Sequence, residues 1–368
     1  MEGNREFTEP PQGEFKQGIQ DDPIPQIAEQ SWVNRFKNRL NGIFRKKKGG
    51  SAEWPSDLPQ VSIDIFYTSH ATAGDVEKMR KRFEEADVFI PESNGWKRSS
   101  LAWFRNLADG KLSREELNRF KFNTDWVSGV ARMVENSSKP VTVIDLPRNR
   151  LFKKLDKLYS GSGSVKMGTF GSFLDSLRNH VHKVAELQKE RDDYMVTQFP
   201  IRMRELLVIY PQLKEKKQIK VLLSLGSFHT SVYENMKEQG RNVNWEFSAI
   251  PYVDGFRVEA ERRYLFGKDV SDELAANMFL EKALERDVLP HELATERYDE
   301  FVIFCRRVIP QFSFQDAEEV FNRIKQGEDR KKIFEDKLGQ KGIKIPQTAQ
   351  ELHDFLAKPE QGISEVKS

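Results

Sequence analysis

The chain has 368 residues, 38% hydrophobic and 32% charged, with 59 basic against 57 acidic side chains. A net charge of +2 points to no polyanionic partner, so nucleic acid is set aside. The single cysteine, Cys305, excludes an internal disulfide and a multi-thiolate metal site, and no apolar run reaches the ~18 residues of a membrane span.

Residues 1–57 read as a largely disordered tail, because Pro, Gln, Gly and acidic residues bury too little surface to offset ordering entropy. The polar start MEGNREFTEPPQGEF is unlike a secretory signal, so a cytoplasmic location is expected. Within the tail, residues 31–48 are basic and amphipathic. Trp32, Val33, Phe36, Leu40, Ile43 and Phe44 share a sector of about 120° on a helix, surrounded by arginine and lysine. Such a segment suits peripheral contact with an anionic membrane, or docking on its own fold.

From residue 58 the pattern alternates between strand and helix. "VSIDIFY" (61–67), "ADVFIPE" (86–92), "KPVTVIDLPRNR" (139–150), "IKVLLSL" (219–225) and "NWEFSAI" (244–250) predict five strands, near 61–67, 86–91, 141–145, 219–225 and 245–250. Helical spacing fills the intervals, which predicts an α/β fold with a mostly parallel central sheet flanked by helices over 58–255. Residues 256–368 predict a mainly helical C-terminal region. "GSGS" at 161–164 reads as a loop and not a phosphate cradle, since no Gly-Lys-Ser/Thr follows.

Ligands of open α/β sheets bind beyond the carboxyl ends of the strands. Four predicted strands deliver reactive side chains there: His70, Glu92, Asp145 and His229. On the long helix before the fourth strand, Arg191 and Asp192 fall in the same stripe as Leu174, Leu177, Val181 and Met195. A charged pair on an apolar face needs partners, either a structural bridge or a guanidinium aimed at a substrate oxyanion. In "GSFH", Gly226 is expected to turn tightly, and the helix N-terminus to keep the His229 imidazole neutral.

"FYTSH…ADVFIPES", "VIDLPRNR", "RDDYMVTQF" and "LLSLGSFH" follow one another in an order that resembles the TraB/Tiki/ChaN/erythromycin-esterase-like superfamily. The second GxxH motif of that family is intact at Gly226–His229, and the Arg-rich helix motif matches at Arg191, Asp192 and Met195. Glu92 matches the acidic position, and Asp145 with Arg148 the third element. The first GxxH departs, with Tyr67 where the family has glycine before His70. The resemblance covers about residues 60–250 and implies a shared site; family members include metal-dependent peptidases, esterases, heme-binding proteins and peptide-signal regulators.

His70, Glu92 and His229 are residue types that suit a divalent transition metal such as Zn. A metal-bound water would attack a carbonyl while Arg191 holds the oxyanion; Asp145, Arg148 and Asp192 would bind substrate. Without a metal, a histidine or Glu92 would activate water directly. Both schemes describe a hydrolase of esters or amides. The alternative is a regulatory protein that binds a small molecule, heme or peptide in the same pocket without turnover. Separately, residues 31–48 predict salt-sensitive binding to anionic vesicles, at ~1 kcal/mol per basic residue near the surface. A sedimentation assay that finds equal binding to neutral vesicles rejects the membrane reading.

Overall fold

Alternation of Val61, Ile63 and Ile65 with polar neighbours produces β1 (Gln60–Thr68), the first strand of the computed structural model. The structure describes residues 58–68, 73–92, 98–112, 125–160, 168–248, 255–291, 293 and 297–358. The expected tail, the basic segment 31–48 and His70 lie outside the described residues. The chain divides into two units, Met1–Leu58 with Leu112–Lys121, and Pro59–Lys111 with Phe122–Ser368. The second unit holds the sheet, the long helix and the C-terminal helices.

After β1 come α1 (Ala73–Glu85), β2 (Val88–Pro91), α2 (Arg98–Ala108), α3 (Asp125–Val134) and α4 (Arg148–Ser160). The chain continues through α5 (Phe170–Ile209), β3 (Gln218–Gly226), α6 (Thr230–Glu238) and β4 (Asn242–Phe247). The four strands pair in parallel in the order β2-β3-β1-β4. This is the predicted α/β class. The central strand β3 is buried on both faces from Val221 to Gly226, as parallel sheets require. Because all strands run one way, Thr68, Pro91, Gly226 and Phe247 end at the same edge.

Two predicted strands differ. Residues 141–145 form no strand: only Val141 bridges to Phe89, through Phe89 N–H to Pro140 O (3.0 Å) and Thr142 N–H to Phe89 O (3.2 Å). Pro140 has no N–H to give and β2 has four residues, so the ladder stops at one rung. The last strand starts earlier than its apolar residues suggest, because Asn242–Asn244 pair with Ser62–Asp64 at the sheet edge.

Thr169 caps α5, accepting from Ser172 N–H. With 40 residues, α5 extends roughly 60 Å. Its first turns bury Phe170, Phe173, Leu174 and Val181 in a core built with the C-terminal helices. These are α7 (Phe256–Leu265), α8 (Asp272–Ala283), α9 (Tyr298–Val308), α10 (Phe314–Lys325), α11 (Arg330–Gln340) and α12 (Ala349–Ala357). Cys305 is buried in that core, and burial pushes its thiol pKa up. The later turns of α5 bury Met195, Phe199, Met203 and Leu206 beside α6. One helix therefore serves both cores. No described helix is long and apolar enough to cross a membrane.

The α1–α3 contact is close at Gly129, where a Cβ would meet Val76 Cγ2 at 2.8 Å. Val76 is β-branched and fully buried, so it yields little. Gly129→Ala is expected to lower stability, since overpacking costs ~1–3 kcal/mol against a helix-propensity gain of ~1 kcal/mol. Urea denaturation should show the midpoint falling in Gly129→Ala and recovering in part when Val76→Ala is added.

Candidate active site

The carboxyl edge of the sheet gathers a charged network from four segments. Glu92 directly follows β2, its N–H bonded to Ser224 O (2.8 Å). Asp145 arrives on the stretch that leaves β2 after one bridge. Gln188, Arg191 and Asp192 lie on adjoining positions of one α5 face, and His229 ends the 3-10 turn Ser227–His229 that joins β3 to α6.

Arg191 is the centre of one half. Its Nη2 donates to Asp145 Oδ2 (2.7 Å) and its Nε to Asp145 Oδ1 (3.2 Å), a two-pronged pair. Nη2 also reaches Glu92 Oε1 (3.3 Å), and Nη1 donates to Gln188 Oε1 (3.1 Å). Burial opposes the guanidinium charge, but the Asp145, Glu92 and Asp192 carboxylates overcome it and push the pKa above its ordinary value. Leu146 N–H also donates to Asp145 Oδ1 (2.6 Å).

His229 is the centre of the other half. The ring is 1% exposed, with Nδ1 2.5 Å from Asp192 Oδ1 and Nε2 3.2 Å from Glu92 Oε1. The Gln188 amide nitrogen stands 2.6 Å from Nδ1 and donates to Asp192 Oδ1 (2.9 Å). Ser231 Oγ donates to Asp192 Oδ2. Burial pulls the imidazole pKa down, and the charges of Glu92 and Asp192 more than reverse this, raising it to about 9. These charges favour the imidazolium over the neutral ring expected from the helix end. Two carboxylates within hydrogen-bond distance outweigh the half-charge of a helix end.

Gly226 also differs from expectation. Its φ of −65° and ψ of 151° are ordinary extended values, so the turn does not exploit glycine's left-handed region. Its N–H donates to Glu92 Oε2 at 2.5 Å, so Glu92 is held by a backbone amide as well as by two cations.

Of the residues singled out from sequence, Glu92, Asp145, Arg191, Asp192 and His229 come together. Asp145 and Asp192 were expected to hold substrate. Both are buried, with oxygens engaged by Arg191 and Leu146, and by His229, Gln188 and Ser231. Both support the two cations. Arg148 opens α4, its guanidinium 5.0 Å over the Phe152 ring. Gln188 and Ser231 escaped the sequence reading, although Gln188 lies one turn before Asp192 on the same helical face.

Of the expected metal set, Glu92 and His229 stand together among the described residues, and His70 lies outside them. Both ring nitrogens of His229 face carboxylates, Asp192 on one side and Glu92 on the other. Among the described residues, no group of three His, Cys, Asp or Glu is arranged to hold an ion. No chemistry is therefore drawn through a metal. No protein-family model matches the sequence, and neither characterised proteins nor solved structures show a match.

Two outcomes test the network. Arg191→Met strands Asp145 beside an apolar side chain and should cost ~3–5 kcal/mol in chemical denaturation. For His229, the folded pKa of about 9 lies above the reference 6.5. Its stabilisation is therefore complete below pH 6.5 and lost as pH rises through 9. The stability difference between the wild type and His229→Gln should shrink across that window; a difference independent of pH rejects the charged ring.

Proposed function

We propose that this network is the centre of a metal-independent hydrolase of ester or amide bonds, with Glu92 as the group that meets the substrate. The observation that carries the reading is the position of Glu92. Its side chain is 11% exposed, against 1% or less for Asp145, Asp192 and His229, and it accepts from Arg191, His229 and Gly226 N–H. It is the carboxylate of this network nearest solvent, at the edge where open α/β sheets bind ligands.

In this scheme Glu92 takes a proton from water as the water oxygen bonds to the carbonyl carbon. Arg191 and the His229 imidazolium stabilise the negative charge that forms on the carbonyl oxygen. The tetrahedral adduct then collapses, the bond to the alcohol or amine breaks, and the leaving group takes the proton from Glu92. Water is consumed, and acid plus alcohol or amine is released. Asp192 and Asp145 act behind the two cations, fixing their orientation before reaction. Kinship with the TraB/Tiki/ChaN/erythromycin-esterase-like superfamily belongs to the same proposal.

A second reading has its own supporting observation. The bonding groups of the two cations already meet protein partners, as suits a rigid surface that recognises a ligand or peptide without turnover. Assays on p-nitrophenyl acetate and a generic peptide, with and without chelator, separate the two. Turnover that survives the chelator and falls ~10²–10⁴-fold in Glu92→Gln is expected. Loss of turnover with chelator overturns the metal-independent form, and no wild-type turnover on either probe favours the binding reading.

A further inference from the structure

We infer that Tyr67 and Arg262 are positioning residues that hold the Ser227–His229 turn, and through its backbone set where the His229 ring stands. The inference rests on the reading of His229 as part of the working centre. Neither residue has a role legible in the sequence pattern, where Tyr67 stands out only as the departure from a glycine position.

Tyr67 reaches the turn from the end of β1. The Tyr67 hydroxyl donates to His229 O at 3.2 Å. His229 has φ −89° and ψ 27°, outside helical values. The phenol is fully buried at the end of β1, its ring 5.1 Å from that of Phe247. A buried hydroxyl must be paired, so this geometry fixes the phenol and the turn together.

The second hold comes from the C-terminal helices. Arg262 on α7 donates from Nη2 to Ser227 O at 3.2 Å. α7 is itself fixed at its start by Glu281 of α8, whose carboxylate accepts from Phe256 N–H (3.0 Å) and Arg257 N–H (3.1 Å). That contact is tight, since a Cβ on Gly255 would meet Glu281 Oε1 at 2.7 Å. The helical region thus reaches the His229 turn through a guanidinium on an anchored helix. Both residues hold backbone carbonyls of the turn, so they act through position and not chemistry.

The test uses the full chain with ¹⁵N-labelled histidine, in wild type, Tyr67→Phe, Arg262→Met and Arg262→Lys. Three quantities are read: the His229 ring ¹⁵N resonances, the melting temperature, and kcat and KM on p-nitrophenyl acetate. The ring resonances should move in Tyr67→Phe and Arg262→Met, with kcat falling about tenfold to hundredfold while KM holds. Arg262→Lys, which keeps a donor, should recover much of the loss. Unmoved ring resonances in both Tyr67→Phe and Arg262→Met overturn the inference, even where melting shifts. Absent wild-type turnover defeats the hydrolase reading alone, and the resonances then decide the positioning role. Should Tyr67→Phe fail to fold, an unmoved ring in Arg262→Met is sufficient to overturn it.

Discussion

A guanidinium buried in the middle of a long helix constrains everything around it. Taking a cation out of water costs several kcal/mol unless carboxylates and hydrogen bonds replace the lost solvation. Arg191 obtains these from Asp145, Glu92 and Gln188, three groups on different segments. The parallel sheet makes this possible, because its strand ends share one edge and α5 passes beside it. Once Arg191 is in place, Glu92 is drawn between it and His229, and the other groups take their positions around that trio.

Charge balance explains the protonation of the site. Three carboxylates face one arginine, and a neutral imidazole would leave two negative charges uncompensated in a buried volume. Protonating His229 reduces that excess to one. A metal would have to displace that proton, since the two compete for the same nitrogen lone pair. A carboxylate held between two cations is poised to share them with an oxyanion formed beside it, which links the electrostatics to the proposed reaction.

The C-terminal helices take part in the same arrangement. α5 starts in their core and ends beside α6, so Arg191 and Asp192 are registered against both regions at once. The bonds from Glu281 to α7 and from Arg262 to Ser227 add a second route between that core and the His229 turn. Packing in the helical region is therefore part of what holds the site's geometry.

Much of this was legible in local pattern. Alternation over 61–67, the apolar run over 219–225 and helical spacing between them identify a parallel α/β fold, because periodicity is a property of neighbouring residues. Arg191 and Asp192 could be recognised as buried because they sit in an apolar stripe, and Glu92 and His229 as neighbours because strand ends in such sheets converge, whereas Asp145 reaches the same edge although 141–145 form no strand. What tertiary structure alone decided lies in pairings across the chain. Arg191 and Glu92 are 99 positions apart, and Tyr67 and His229 are 162 apart. The charge of His229 depends on which carboxylates topology places against its ring. The stretch 141–145 carries the composition of a strand, but β2 offers it a single rung. Local sequence sets what a segment can form; its neighbours set which bonds it completes and which protons it keeps.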